Sequence, residues 1–267
     1  MEEQHELEDG WLPSTRDDDT MLRQYVLAFA DRVEHDAVAM GQQVIRSELA
    51  VMADTGIPFA LANSVALVRP LRAEEWPELV DAATRLYEPK PFTIWSAWPT
   101  PDLRPHGLRL GGHPPFMIRP TGPSSTAGPA DLVVQRVTDA AGMQRFVETF
   151  ARCYPVPELA ALESDAWVDE RVLHDDSCWF VGSVDGRPVA TGAASCTRGV
   201  NMVEFISVDA TLRGRGFGAA ITWAATLAQP ELPAVLIASD DGRPVYERMG
   251  YATICRFTLW MGPGDDG

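Results

Sequence analysis

The stretch LRGRGFGAAITWAA, residues 212–225, constrains this chain more than any other. Gly214, Gly216 and Gly218 alternate with other residues, and an apolar helical pattern follows at once. The first backbone N–H groups of a helix have no partner within it, and the helix dipole puts about half a positive charge at that end. A glycine turn opening a helix is therefore an anion site, and the missing Cβ atoms let a phosphate come close to the backbone. The strand-like NMVEFISV, residues 201–208, leads into it.

Composition limits what else the chain can be. Its 267 residues suffice for one large domain or two small ones, and 46% hydrophobic with 22% charged residues is a globular balance. No apolar run reaches the roughly 18 residues of a membrane span, and the acidic N-terminus does not read as a signal peptide. Cys153, Cys178, Cys196 and Cys255 have no C-x-x-C or zinc spacing, and His5, His35, His106, His113 and His174 are scattered. Reduced, buried thiols, no metal and a cytoplasmic location are expected. Almost half of the net charge of −16 sits in the first twenty residues, where eight acids from Glu2 to Asp19 face only Arg16. That run reads as a solvated, partly disordered tail. Nucleic acid is disfavoured as a partner, because its binding needs a basic face. A membrane partner is not expected either, and the oligomeric state stays open.

RPTGPSSTAGPAD, residues 119–131, is rich in turn formers and divides the chain. The expected organisation is an acidic tail over 1–19, a first half over 20–122, a linker over 123–130 and a second half over 131–267. In the second half DLVVQRV reads as a strand, and TDAAGMQRFVETFARCY as a capped helix with Met143, Phe146, Val147 and Phe150 at helical spacing. PELAALESDAWVDERVLHDD reads as a second helix with Pro near its start. CWFVGSV and PVATGAASCT are strands joined by the turn DGR. NMVEFISV, the glycine turn with its helix, AVLIAS, the short helix RPVYERMG and the strand ATICRFTLWM complete the order β-α-α-β-β-β-α-β-α-β.

This order resembles the GNAT acetyltransferase superfamily, and the resemblance extends to residues. The superfamily's acyl-CoA loop is Arg or Gln, two residues, Gly, one residue, then Gly or Ala; Arg213, Gly216 and Gly218 satisfy it. Downstream, Tyr246 precedes the Gly250-Tyr251 pair as in the superfamily's short helix. Gly214, Gly216 and Ala219 also fit a dinucleotide G-x-G-x-x-A turn, with Asp240 about twenty residues on. That reading fails on context, since DATLR separates strand from turn and only 27 residues follow Asp240. No Gly-Lys-Ser/Thr is present for a P-loop.

The resemblance implies a mixed, mostly antiparallel α/β (α+β) sheet flanked by helices, and acetyl-CoA as cosubstrate. Backbone N–H groups of Arg213, Gly214, Arg215, Gly216, Phe217, Gly218 and Ala219 would hold its pyrophosphate. Ile206, Ser207 and Val208 would face the pantetheine arm and thioester on a strand that splays from its neighbour, and Ser239 would reach the pantetheine. Glu204, placed by strict alternation on the face of Ile206 and Val208, would be the general base, its alternative being an ion pair with Arg198 or Arg256. Tyr246 would be the general acid. The implied activity is N-acetyl transfer to a primary amine, small molecule or protein, directly in a ternary complex. The acidic chain is compatible with a cationic acceptor. The alternative class is a non-catalytic acyl-CoA sensor.

The first half echoes the second. Residues 91–120 and 234–262 each read strand, Pro-containing turn, short helix, Gly, then a strand with Met near its end. Residues 20–53 read as mainly helical, with Met21, Tyr25, Phe29 and Val33 on one stripe. The pattern suggests a tandem whose first half is degenerate: RPLRAEEWPEL stands where the glycine turn would be, and Leu103 or Arg104 where the tyrosine would be. Glu74 and Glu75 at that helix start would repel a phosphate, so one CoA per chain is expected. Trp95 and Trp98 read as core or interface residues rather than ligand platforms.

Overall fold

The computed structural model describes residues 20–123, 128–156, 159 and 170–263. The acidic tail and most of the helix expected over 157–176 lie outside them; Glu170–Val172 is a single 3-10 turn. Helix α1 (Met21–Ala39) starts where the Thr20 hydroxyl accepts the Arg23 N–H at 3.0 Å. It is followed not by more helix, as expected to residue 53, but by strands β1 (Val44–Arg46) and β2 (Ala50–Ala53). Then come β3 (Ser64–Leu67), α2 (Trp76–Tyr87), β4 (Thr93–Ser96) and β5 (Arg109–Gly112). Strands β6 (Pro115–Arg119) and β7 (Val133–Arg136) flank the linker. Helix α3 (Ala140–Cys153), capped by Asp139 on the Gly142 N–H, precedes β8 (Ser177–Val184), β9 (Arg187–Thr197) and β10 (Val200–Val208). The chain ends with α4 (Phe217–Thr226), β11 (Ala234–Ile237), α5 (Arg243–Arg248), β12 (Ala252–Arg256) and β13 (Thr258–Met261).

These strands form two sheets, ordered β1-β2-β3-β4-β13-β5 and β12-β6-β11-β10-β9-β8-β7. From β5 to β1 and from β12 to β8 the two match position by position. Each has one parallel pair, β3 with β4 and β10 with β11, and is otherwise antiparallel. The matched position beside β4 and β11 is filled in each sheet by a strand from the other half. β13, at the C-terminal end, lies between β4 and β5; β6, before the linker, lies between β11 and β12. The single strand expected over ATICRFTLWM is thus two, β12 in one sheet and β13 in the other.

The crossing is continuous. β5 and β6 run antiparallel to β13 and β12, and one register spans the crossing, Leu259 opposite Gly112 and Arg256 opposite Pro115, before it shifts by one residue on either side. Where the ribbon passes between sheets, the Phe257 N–H donates to the Pro114 carbonyl at 3.0 Å. Every backbone group of an inner strand needs a partner on both sides, so neither half completes its sheet without the other.

Helix α1 fills the angle between the sheets. Its Tyr25, Phe29 and Val33 stripe packs in one cluster with Val51 and Ala66 of the first sheet and Phe116, Met202 and Val235 of the second. α2 covers the far face of the first sheet with Leu79, Val80 and Ala83 against Trp260 of the exchanged strand. α3 and α4 cover the second sheet, α3 beside Trp179 and Val181, and α4, through Ala225, beside Val203 and Leu236. No helix among the described residues is long and apolar enough to cross a membrane.

Trp260 is 4% exposed and its indole N–H donates to the Thr100 hydroxyl at 2.8 Å. Trp260→Ala should destabilise the chain by about 3–5 kcal/mol, the usual cost of emptying a buried aromatic site. Urea unfolding followed by circular dichroism should show that loss in one transition for both halves; a change below about 0.5 kcal/mol would contradict the exchanged-strand role.

Candidate active site

The second sheet opens along one line. β10 pairs with parallel β11 only at Asn201–Ala234 and Met202–Val235, although both strands continue, to Val208 and Ile237. Beyond Met202 the strands part. On its other edge β10 stays paired with β9, but Glu204 faces Ala193 while Ser207 faces Thr191, so one extra residue is accommodated between them. This β-bulge puts Phe205 at φ 54°, left-handed backbone that a bulky residue seldom adopts. Thr191 holds it there, its hydroxyl 2.9 Å from the Phe205 carbonyl and 2.7 Å from the Ser207 hydroxyl.

The bulge corrects the alternation assumed from sequence. Glu204 does not share a face with Ile206 and Val208. Ile206 packs with Ile221 of α4 over Gly192, and Val208 lies beside Gly218. Glu204 and Phe205 turn to the opposite side, toward α1 and α3. There Glu204 meets neither Arg198 nor Arg256, which pair with Asp31 and Asp240. Its partner is Arg32 of α1, with Nε 2.9 Å from Oε2. The contact is Coulombic, since neither atom makes an aligned hydrogen bond among the described residues. Arg32 also donates to Asp36 at 2.5 Å, and its guanidinium carbon lies 5.2 and 5.8 Å from the Phe29 and Phe205 ring centres. Burial raises the Glu204 carboxyl above its ordinary range; Arg32 opposes that shift and Asp36 adds to it.

Glu204 lines a cavity of about 200 Å³ between the two halves. Tyr25, Phe29 and Trp95 come from the first half, and Phe150, Tyr154 and Trp179 from the second. Leu236 and Ile237 bring the parted edge of β11 into its wall, so the cavity reaches the opening in the sheet.

On the α4 side, the glycine turn has the conformation its sequence suggested. Gly214 and Gly216 sit at φ 79° and 86°, values a side chain would resist. Gly218 has ordinary backbone, and a Cβ there would rest 3.7 Å from Val208 without a clash. The first intrahelical bond of α4 runs from the Ala220 N–H to the Gly216 carbonyl, so the N–H groups of Phe217, Gly218 and Ala219 precede the ladder. Phe217 itself is buried. Arg213 donates to the Val208 carbonyl at 3.4 Å, while Arg215 pairs with Asp131 and stacks 4.8 Å from the Phe217 ring centre. The Ser239 hydroxyl accepts the Gly242 N–H at 3.0 Å at the start of α5.

Tyr246 lies in α5, its ring 5.9 Å from that of Tyr251, which in turn shares a 2.7 Å hydrogen bond with Thr226. Burial, with the nearby Tyr154 hydroxyl, pushes the Tyr246 phenol up to about 12. Tyr154 stands on the cavity wall.

Residues 143–251 match the model of the acetyltransferase (GNAT) family. The chain carries a GNAT domain. No curated protein matches the sequence. Among solved structures, a GCN5-related N-acetyltransferase from Kribbella flavida is 18% identical with a TM-score of 0.68, over 92% of this chain and 97% of that one. A GCN5-related N-acetyltransferase from Sphaerobacter thermophilus is 15% identical with a TM-score of 0.54, over 92% and 95%. A conserved protein of unknown function from Staphylococcus epidermidis is 13% identical with a TM-score of 0.58, over 82% and 93%. At such identities the likeness is one of fold, and it spans both halves.

The family makes acyl transfer the chemistry of the GNAT domain. Around it, the residues missed from sequence are those that tertiary contact alone brings in: Arg32 and Asp36 of α1, Tyr154 at the end of α3, and Trp95, which lines the cavity while its indole N–H donates to Thr93 at 2.9 Å. The four-residue spacing of Arg32 and Asp36, about one helical turn, marks them as one face of α1 but names no partner.

Arg32→Met should cost about 3 kcal/mol, because it leaves Glu204 and Asp36 facing each other in a buried site. A carboxyl whose folded pKa is raised loses its stabilising contribution as pH rises through that pKa. Removing Arg32 raises it further, so the variant should lose more at pH 8 than at pH 5. Urea unfolding at both values checks this; equal losses would show that Glu204 and Arg32 are not coupled.

Proposed function

We propose that the chain moves an acetyl group from acetyl-CoA to a primary amine, directly, in a ternary complex. The observation that carries this reading is the opening between β10 and β11, with an anion-binding helix start on one side and a cavity holding a buried carboxylate on the other. The turn fits the cosubstrate. Two glycines take conformations that favour glycine, the third leaves room a side chain would fill, and three N–H groups precede the helix ladder. When bound, acetyl-CoA supplies an activated acyl carbonyl and a thiolate leaving group.

The chain's own groups supply the rest. Asp209 donates to the Val189 carbonyl on the β9 side, so the ladder's alternation turns Val208 toward the opening in the sheet. Val208 and Ile206 thereby come to hand backbone groups to the pantetheine arm and the thioester oxygen. Glu204, held above the usual carboxylate range, takes the proton of the attacking amine. As the C–N bond forms and the C–S bond breaks, Tyr246 returns a proton to the thiolate. With its phenol at about 12 it stays protonated throughout the working range. Ser239 already accepts one hydrogen bond and keeps its own O–H to donate to the pantetheine. Arg215 joins the cradle through its backbone, its side chain being held by Asp131. The N-terminal half supplies acceptor walls and no second cosubstrate site: Glu75 accepts hydrogen bonds from Arg69 and Arg72 where a phosphate would have to sit.

Gly218→Val should weaken acetyl-CoA binding at least tenfold in titration calorimetry while the melting temperature stays within a few degrees. Unchanged affinity would place the cosubstrate elsewhere.

Tyr246→Phe should lower kcat about 10²-fold with acetyl-CoA affinity unchanged, and should leave the pH midpoints in place. Glu204→Gln should remove the acidic limb of kcat/KM, which in the parent lies above the ordinary carboxylate range because the base is lost as pH falls through a raised pKa. Thiol release from acetyl-CoA, followed against pH with an accepted amine, measures both. Binding of acetyl-CoA without turnover on any amine would identify a sensor instead.

A further inference from the structure

The cavity wall specifies more than the presence of an acceptor. Its volume of about 200 Å³ somewhat exceeds the roughly 150 Å³ in which a buried apolar site takes benzene. That is room for a ring with a short side arm. Most of the wall is aromatic or aliphatic, with Ile57, Phe59 and Leu61 of the first half facing Phe150, Tyr154 and Trp179 of the second. A sugar or a polyamine would press hydroxyl or amino groups against these rings without partners, at a cost in binding for each.

Charge is confined to one place. Among the described residues the charged side chains on the wall are Arg32, Asp36 and Glu204, one cation against two carboxylates. Arg32 donates to Asp36 and lies against Glu204 Oε2 at 2.9 Å, and that oxygen is buried and accepts no hydrogen bond among the described residues. An ammonium group would restore the charge balance and give Oε2 a donor. A carboxylate on the acceptor would add a third negative charge. Unlike the ring walls, this cluster lies where Glu204 projects from β10 just before the bulge, beside the parted edge of β11.

We infer that the acceptor is a small apolar amine of the arylalkylamine type, entering as an ammonium ion, its ring among the aromatic side chains of both halves and its nitrogen between Asp36 and Glu204. The inference rests on the acetyl-transfer reading and gives that site its substrate class. Asp36 is a recognition residue in it, and Glu204 serves both recognition and proton removal.

The test compares phenethylamine and benzylamine with ethylamine, spermidine, glucosamine and a lysine-containing peptide, using acetyl-CoA and the full chain. Phenethylamine should exceed ethylamine in kcat/KM by about 10²-fold, the value of burying one ring. Asp36→Asn should raise KM for phenethylamine tenfold or more and leave acetyl-CoA affinity unchanged. Ala62→Phe, on the cavity wall, should abolish phenethylamine binding in calorimetry without weakening acetyl-CoA. Preference for spermidine, glucosamine or the peptide, or a phenethylamine affinity that neither variant alters, would overturn the inference and leave acetyl transfer standing. Phenethylamine bound by the parent chain and lost in Ala62→Phe, with no turnover of any amine, would support the ligand class and overturn the transfer reading instead.

Discussion

One two-stranded ribbon holds this molecule together. β5–β6 and β13–β12 run antiparallel and pass from one sheet to the other without a break in pairing, and at the crossing Phe257 donates to Pro114. Each sheet receives an inner strand from the other half, so its hydrogen bonds are satisfied only when both halves are folded. The exchange also determines the angle between the sheets. That angle is filled by α1, whose Tyr25 ring lies 4.7 Å from Phe116 of the exchanged β6 and 5.6 Å from Phe257 at the crossing. A helix of the first half is thereby held against the strand that carries Glu204.

The placement of α1 decides the electrostatics of the site. Arg32 is sandwiched between Phe29 of its own helix and Phe205 of β10, and it faces Glu204 from there. A lone carboxylate moved to this depth would take up a proton; a carboxylate held by a well-aligned arginine would stay ionised and be a weak base. The arrangement lies between these limits. Burial and Asp36 raise the proton affinity of Glu204, Arg32 restrains it, and the contact between the two lacks hydrogen-bond alignment. The result is a carboxylate whose proton affinity is set jointly by its depth and by two side chains of α1.

The bulge at Phe205 makes both faces of one strand useful. Without the extra residue, Ile206 and Val208 would follow Met202 and Glu204 onto the face toward α1. With it, the carboxylate keeps that face and looks into the cavity between halves, while Ile206 and Val208 turn to pack against the helix that opens at the glycine turn. The strained φ at Phe205 is held by two hydroxyl contacts of Thr191 and by the ring's packing among Trp179, Phe146 and Phe150.

Local sequence determined much of this. The glycine turn, the capped helix at Asp139 and the hairpin at Asp185–Gly186 depend on interactions between near neighbours, and each was legible in residues 131–261. The internal echo was legible too, and the matching strand orders of the two sheets follow it. What tertiary structure alone decided was which half each repeated strand joins. PFMIR and TLWM read as the last strands of their own halves, because alternation of apolar residues sets a strand's faces and not its neighbours. The same limit hid Arg32 as the partner of Glu204, 172 positions away, and with it the cavity. The bulge escaped notice because period-2 alternation assumes an unbroken ladder; whether a residue is left over is settled by the hydroxyls and rings packed around it, and those come from the rest of the fold.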